Sequence, residues 1–205
     1  IVCTGDMFDA ARVDIVNSFN LFKSLKENIN CEIIYAPGNH EAARQIEYLK
    51  LVEKLEEINV ICLKNSNVLL NIEENTINFA SFEKKDRYDY ALINSLGNEN
   101  FNIFLIHQPE FIEAYVKNKE VYLDKDLDYK MDLILSGHVH GGQFRFFGKA
   151  IYAPDQGWFP KYSNGLFNLT NEEIMIISRG IGNSSFPLRI NNNPEIVVIN
   201  ILKNK

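Results

Sequence analysis

Cysteine, long apolar runs and an excess of basic residues are scarce or missing in this 205-residue sequence. The three cysteines are widely spaced and form no Cys-x-x-Cys pair, which argues against a disulfide framework or a zinc knuckle. No apolar run approaches the roughly 20 residues that are needed to cross a bilayer. The formal net charge of -6 lacks the basic excess of a general nucleic-acid binder, so no nucleic-acid partner is expected.

The sequence begins with Ile1 rather than Met, and its first letters, IVCTGD, resemble the end of a strand that leads into a motif. We therefore expect the natural chain to begin upstream, where any signal or membrane anchor would also lie. The length predicts one domain, residues 1–205, with a substantial core.

Alternating helical and β-rich segments predict an α/β fold. Helical patterns cover about residues 10–27, 41–57 and 87–96. The second of these has an apolar stripe, which we expect to be buried: Ile46, Leu49, Val52 and Leu55. β-rich segments are predicted at residues 1–4, 31–36, 60–63, 67–72, 76–81, 101–107, 131–138, 143–153, 165–169, 174–178 and 195–202.

Polar side chains follow the ends of four predicted strands. Asp6 follows the first strand, Asn39 and His40 follow the second, and all the remaining histidines follow two later strands: His107, His138 and His140. In open α/β sheets, the carboxyl ends of the strands form the edge where ligands bind. Although a lone histidine after a strand is more often structural, four such loops predict a common site.

Aspartate, asparagine and histidine together form a mixed nitrogen and oxygen ligand set. Such a set suits Zn, Mn, Fe or Co rather than metals that prefer thiolates. Two divalent ions about 3.5–4 Å apart hold a nucleophile and clamp a phosphoryl group during in-line displacement. The pattern therefore favours a two-metal site that acts on a small phosphorylated substrate.

The ordered motifs GD, GNHE, the lone His107 and GHVH resemble those of the calcineurin-like metallophosphoesterases, and the resemblance extends over essentially the whole chain. The later stretch from KYSNGLF to PEIVVINI is similar to a bacterial branch whose members are often membrane-associated or exported. Some proteins of that branch and its relatives hydrolyse the pyrophosphate bond of UDP-2,3-diacylglucosamine. The resemblance implies a four-layer α/β/β/α sandwich, here without its first strand.

The resemblance also implies a role for each motif residue. Asp6 would bridge two divalent ions, Mn, Zn or Fe, with Asn39, His107 and His138 completing one site and His140 belonging to the other. A metal-activated hydroxide would be the nucleophile that attacks a phosphodiester, phosphomonoester or pyrophosphate bond.

The two residues after Asn39 are the implied catalytic pair. His40 would face the leaving oxygen and deliver a proton, without binding metal. Glu41, where the family usually has Asp, would orient His40 through a hydrogen bond.

One motif of the family, an Asp-x-His on a preceding strand, is absent, because no histidine here has Asp two residues before it. One alternative is that the opening strand is missing from this sequence. The other is a weakened metal site, in which case the fold would serve as a protein-binding scaffold. Cell-surface or membrane-associated localisation is expected from the resemblance, with a cytoplasmic location as the alternative.

The segment 144–167 is rich in aromatic residues. About half of them are expected in the core, and the others in a groove for a lipid-bearing or aromatic substrate, with Trp158 and Phe159 exposed. Arg179 and Arg189 are candidates to contact phosphate through paired hydrogen bonds, although a structural salt bridge is the commoner role for such arginines.

Overall fold

The computed structural model describes residues 1–82, 96, 99–112, 130–170, 172–183 and 187–202. Within these residues the fold is mixed α/β, as predicted, with two β-sheets packed face to face and helices on the outside of the first sheet. The predicted helix at 87–96 lies almost entirely outside the described residues. In the described part of the chain, no helix combines the length and apolar character that a membrane crossing requires.

The first sheet is small and parallel. Its order is β1 (Val2–Cys3), β2 (Ile34–Tyr35) and β3 (Ile61–Cys62). One face packs against the helices in a cluster of buried side chains: Phe8, Phe22, Ile33, Tyr35, Tyr48, Leu51, Leu55 and Val60. This cluster holds β1 and β2 in place, and these are the two short strands that precede the first predicted motifs.

Three α-helices follow the first two strands: α1 (Ile15–Asn28), α2 (Asn39–Ala43) and α3 (Gln45–Glu57). Helix α1 begins later than the predicted residue 10 because Asp14 caps it, with its carboxylate accepting the Asn17 backbone N–H. The predicted helix at 41–57 is divided into two at Arg44, whose φ of -130° and ψ of 59° are not helical.

The predicted buried stripe of α3 is wrong at its first two positions. Ile46 is 68% exposed and Leu49 is 58% exposed, whereas the buried side chains are Tyr48, Leu51 and Leu55. A spacing of three residues drifts around a helix that has 3.6 residues per turn, so a three-residue repeat cannot remain on one face. The four- and three-residue spacing of the buried set follows the helical period instead.

Among the described residues, the second sheet has six strands: β4 (Ser66–Ile72), β5 (Asn75–Ser81), β6 (Phe101–Leu105), β7 (Leu133–Ser136), β12 (Gly165–Asn168) and β13 (Ile174–Ile177). Their order in the sheet is β12-β13-β7-β6-β5-β4. The central neighbours pair in parallel, and the outer pairs β4–β5 and β12–β13 are antiparallel. Strands β6 and β7 are covered on both faces, as their near-continuous apolar sequences predict.

The two sheets share an apolar interface. It joins Ile34, Ala36 and Leu63 from the first sheet and its edges with buried residues of the second: Phe79, Ile103, Leu105 and Leu133. The other face of the second sheet has its own core, which includes Phe104, Ile134 and Met175. The packing therefore brings the carboxyl ends of β1 and β2 alongside those of β6 and β7.

Two small hairpins follow β7. They are β8 (Arg145–Phe146) with β9 (Lys149–Ala150), and β10 (Tyr152–Ala153) with β11 (Gly157–Trp158). The strand predicted at 195–202 is wrong, because no described strand lies beside these residues to form a ladder. Ile196 and Val198 are each 81% exposed, while Ile199 packs against the apolar interface of the two sheets.

Phe104 tests the core of the second sheet. Its ring is fully buried and stacks on Phe82 at a centroid distance of 5.4 Å. We expect Phe104→Ala to lower the free energy of unfolding by about 3–5 kcal/mol, through lost burial and an unfilled cavity. Phe147→Ala is the matched control, because Phe147 is 91% exposed. Equal denaturant midpoints for the two variants would contradict this packing.

Candidate metal centre

Four loops bring their polar side chains together at the shared edge of the two sheets. Asp6 lies after β1, Asn39 begins α2 after β2, and His107 and His138 follow β6 and β7. The His107 Nε2 atom lies 3.0 Å from Asp6 Oδ2 and 3.1 Å from Asn39 Oδ1. The His138 Nδ1 atom lies 2.8 Å from the same Asn39 oxygen. We call these four residues the candidate metal centre.

The outward nitrogen of each imidazole faces an acceptor. His107 Nδ1 is 2.6 Å from the Thr4 carbonyl oxygen, and His138 Nε2 is 3.2 Å from Asp155 Oδ2. A neutral imidazole that donates outward has its lone pair on the inward nitrogen. Two nitrogen lone pairs then meet the oxygens of Asp6 and Asn39 with no hydrogen between them.

Converging lone pairs repel one another unless a positive charge lies among them. The ligand atoms of Asp6, His107 and His138 all lie within 4.8 Å of one another. Nitrogen and oxygen donors at this spacing fit a divalent first-row metal ion, whose bonds to imidazole nitrogen and carboxylate oxygen are about 2.0–2.2 Å long. The four side chains therefore fit a metal, although the geometry does not distinguish Zn from Mn or Fe.

The pKa values of Asp6, His107 and His138 reflect the same crowding of acceptor atoms. Burial opposes the charge on Asp6, but the neighbouring His107 outweighs it and holds the pKa of Asp6 below its usual range. Burial likewise opposes protonation of His107, and the Asp6 carboxylate nevertheless raises the pKa of that imidazole. Burial, followed by the nearby His107, lowers the pKa of His138 to about 4. His138 is thus a neutral imidazole at pH 7, which is the form that binds metal.

The backbone at the centre is constrained by close packing. A Cβ atom on Gly5 would lie 2.4 Å from the Gly38 nitrogen, and one on Gly38 would lie 2.2 Å from Asp6 Oδ1. Asp6 and His138 have φ angles of 57° and 65°, in the left-handed region that non-glycine residues rarely adopt. Such strain is typical of functional sites, where the surrounding structure holds it in place.

Glu41 has a role different from the predicted one. Its buried carboxylate accepts the backbone N–H groups of Asp6 at 2.9 Å, Met7 at 2.6 Å and Gly38 at 2.8 Å, and the Tyr35 hydroxyl at 2.9 Å. None of its hydrogen bonds reaches His40, so the prediction that Glu41 orients His40 is wrong. The longer glutamate side chain reaches the loop after β1 instead, and there it fixes the backbone of Asp6.

The backbone of the same loop orients His40. The Ala10 N–H donates to His40 Nδ1 at 2.7 Å, while His40 Nε2 lies 3.8 Å from Asp6 Oδ2. The His40 backbone N–H donates in turn to Asp6 Oδ1 at 3.0 Å. His40 therefore lies beside the candidate metal centre, with its Nε2 directed towards the Asp6 carboxylate.

His140 stands apart from the four converging residues. Its Nδ1 is buried and has no hydrogen-bond partner among the described residues. Burial lowers the pKa of His140, and the Asp6 charge partly offsets that effect, so the two side chains are electrostatically coupled. Its predicted place at a second metal stays a prediction.

The predicted substrate residues lie outside the converging set. Arg179 pairs with both carboxylate oxygens of Glu195, at 3.1 and 3.3 Å. This is a structural salt bridge, the commoner role for such an arginine. Arg189 donates to the backbone carbonyls of Arg179 and Gly182. Trp158 is 72% exposed, as expected. Contact of these residues with a substrate stays a prediction.

Sequence reasoning missed two groups that shape the site. Asp155 lies in the turn between β10 and β11 and accepts from His138, and no motif marks it in the sequence. The Ala10 backbone N–H contacts His40, and a backbone donor has no signature in side-chain letters. Both depend on the folding of distant segments towards one edge.

Glu41→Gln tests the buried carboxylate. An amide has a single acceptor oxygen for the N–H groups of Asp6, Met7 and Gly38, and its own N–H group would face one of these donors. We expect the free energy of unfolding to fall by about 2–4 kcal/mol, as measured by chemical denaturation. Glu53→Gln on the exposed face of α3 is the matched control. Similar stability of the two variants would contradict the four contacts.

Comparisons with known proteins point to one protein family. The model of the calcineurin-like phosphoesterase family matches residues 1–142. The protein YpbG of Bacillus subtilis is 29% identical over 98% of this chain, which covers 70% of YpbG. The uncharacterized metallophosphoesterase Cj0846 of Campylobacter jejuni is 30% identical over 98% of this chain. The chain spans only 50% of the length of that relative.

A solved structure supports the fold alone. The sulfate thiohydrolase SoxB of Thermus thermophilus aligns with 86% of this chain and 33% of its own, at a TM-score of 0.51 and 8% identity. The family match spans the four loops of the candidate metal centre, from Asp6 to His138. With its fold, its motif order and this match, the chain belongs to the calcineurin-like phosphoesterase family.

Proposed function

We propose that the chain hydrolyses a phosphate ester or phosphoanhydride bond, with two divalent cations held at and beside the candidate metal centre. The observation that carries the proposal is the convergence of two imidazole nitrogens with the Asp6 and Asn39 oxygens. Family membership supports the same reaction class. Bound divalent cations would supply Lewis acidity, which lowers the pKa of a water nucleophile and neutralises phosphate charge.

Different side chains would hold the two proposed cations. Asp6 contacts His107 through Oδ2 and the His40 backbone through Oδ1, so its carboxylate spans the space between the two motifs. In the proposal Asp6 would help to hold both cations. Asn39, His107 and His138 would hold one of them, and His140, whose pKa responds to the Asp6 charge, would hold the other.

His40 acts on the leaving group in this proposal. Because Nδ1 accepts the Ala10 N–H, the hydrogen of the neutral ring lies on Nε2, the nitrogen directed towards Asp6 and the candidate metal centre. An N–H donor at this position stabilises negative charge as it develops on a leaving oxygen. Delivery of a proton to the same oxygen, which the ring supplies only in its imidazolium form, completes the bond cleavage.

We further propose a substrate that joins a phosphate to an apolar or aromatic group. Trp158 and Phe159 are 72% and 74% exposed and lie at the end of the hairpin that carries Asp155. Exposed aromatic rings on the hairpin that reaches His138 through Asp155 suit a lipid chain or a nucleotide base. A nucleotide sugar that carries acyl chains, such as UDP-2,3-diacylglucosamine, has both kinds of group, and its pyrophosphate is the bond cleaved.

A protein-binding scaffold is the second candidate function. It is favoured by one observation, that among the described residues only Asp6 and His140 are predicted ligands for the second cation. A scaffold needs no bound metal, whereas the hydrolase needs two cations for each chain. Metal content therefore separates the two functions.

Metal removal is the first test of the hydrolase. We expect the purified chain, supplied with Mn²⁺ or Zn²⁺, to hydrolyse bis-p-nitrophenyl phosphate, and chelation to abolish this activity because the converging acceptors then hold no Lewis acid. Re-addition of the metal should restore the rate. A metal content near two ions per chain in elemental analysis supports the hydrolase. A metal-free chain after incubation with both ions would favour the scaffold.

Substitutions of His40 and Asp6 test how the roles are divided. His40→Gln should lower kcat by about 10²–10⁴-fold, the usual contribution of a proton-transfer group, and should leave the metal content unchanged. Asp6→Asn should reduce both metal content and activity, because it removes the negative charge among the ligands. Glu53→Gln is the control. Full activity in His40→Gln would disprove the assigned role of His40.

A further inference from the structure

The side of His138 that faces away from the candidate metal centre has a polar network of its own. His138 Nε2 lies 3.2 Å from Asp155 Oδ2 and 3.8 Å from Glu110 Oε1. Gln108 donates through Nε2 to Asp155 Oδ2 at 3.0 Å and to Glu110 Oε1 at 3.3 Å. Of these two carboxylates, Asp155 is the one close enough to accept a hydrogen bond from His138.

The network joins loops that are distant in sequence. Gln108 directly follows His107 after β6, whereas Asp155 lies in the turn between β10 and β11. The chain that leads into this hairpin packs tightly on the loop after β7, since a Cβ on Gly142 would lie 2.4 Å from the Ala150 Cβ and 3.0 Å from the Tyr152 oxygen. This packing places the start of the hairpin that carries Asp155 against the loop of His138.

We propose that Asp155 is a positioning residue that holds His138 in the tautomer and ring orientation needed to bind metal through Nδ1. This inference rests on the proposed function, because it assigns a purpose to His138 as a ligand. A carboxylate that accepts the outward N–H of a metal-binding imidazole fixes the ring and raises its basicity. Gln108 completes the arrangement by anchoring the same Asp155 oxygen from the neighbouring ligand loop.

The backbone at Asp155 dictates which variants are informative. Its φ angle is 57°, a conformation that asparagine and glycine adopt with little strain. Asp155→Asn keeps an oxygen that accepts from His138 but removes the negative charge. Asp155→Gly removes the acceptor altogether. Glu110→Gln is the matched control, because Glu110 lies beyond hydrogen-bond distance of His138 Nε2.

The experiment titrates Mn²⁺ or Zn²⁺ alone into the metal-free chain and its variants by calorimetry. We expect Asp155→Gly to raise the metal dissociation constant by about 10–100-fold, the usual effect of losing such a partner, and Asp155→Asn to raise it by less. The number of ions bound at saturation should be unchanged. Glu110→Gln should bind metal as the unaltered chain does. The metal-free variants should melt within roughly 2 °C of the unaltered chain, which a general loss of structure would not allow.

Three outcomes would overturn the proposal. An unchanged dissociation constant in Asp155→Gly would show that His138 needs no such partner. The loss of one whole ion in both Asp155→Asn and Glu110→Gln would show that these carboxylates bind a cation directly. An equal loss of affinity in the asparagine and glycine variants would show that the acceptor does not position the ring. If the unaltered chain binds no metal, the proposed function itself fails, so the two failures are distinguishable. Asp155→Asn still carries the test if the glycine variant proves unstable.

Discussion

Mutual repulsion among acceptor atoms is the constraint on which this site depends. Asp6, Asn39, His107 and His138 direct oxygen atoms and nitrogen lone pairs into one small volume, at separations of 2.8–3.1 Å. Protonation of His107 relieves part of this repulsion, which is why Asp6 raises its pKa. A divalent cation would relieve it more fully, because one ion would attract all four acceptors. The fold must therefore hold these groups together against the electrostatic repulsion among their acceptor atoms.

The structure meets this demand through the backbone and through buried partners. Glu41 fixes the loop of Asp6 by accepting three backbone N–H groups, although burial and the Asp6 charge raise the pKa of that glutamate. Gly5 and Gly38 let two loops approach more closely than any side chain permits. The positive φ angles of Asp6 and His138 show that the same packing also imposes backbone strain. Stability and ligand geometry are thus coupled at these residues.

The location of the site could be predicted from the sequence, and its supporting contacts could not. Asp6, Asn39, His107 and His138 follow apolar strands, and parallel strands place their carboxyl ends on one edge whatever the details of packing. The hydrogen-bond partners of Glu41 and of His138 lie in segments that are distant in the sequence. They therefore depend on the tertiary fold and on the length of each side chain. Helix α3 shows the same limit, since its period predicts a helix while tertiary packing selects Tyr48 and Leu51 for burial.

In the proposed hydrolysis, the contact between Ala10 and His40 would constrain how a proton reaches the leaving group. A ring whose Nδ1 accepts the Ala10 N–H cannot carry a proton on that nitrogen, so His40 in this position is a neutral hydrogen-bond donor. Delivery of a proton requires the imidazolium form, and hence an exchange of partner at Nδ1. Asp9 Oδ1 lies 3.8 Å from Nδ1 and is a carboxylate acceptor beside that nitrogen. In the proposed hydrolysis, the protonated ring would use Asp9 rather than Glu41, whose carboxylate is already committed to the loop of Asp6.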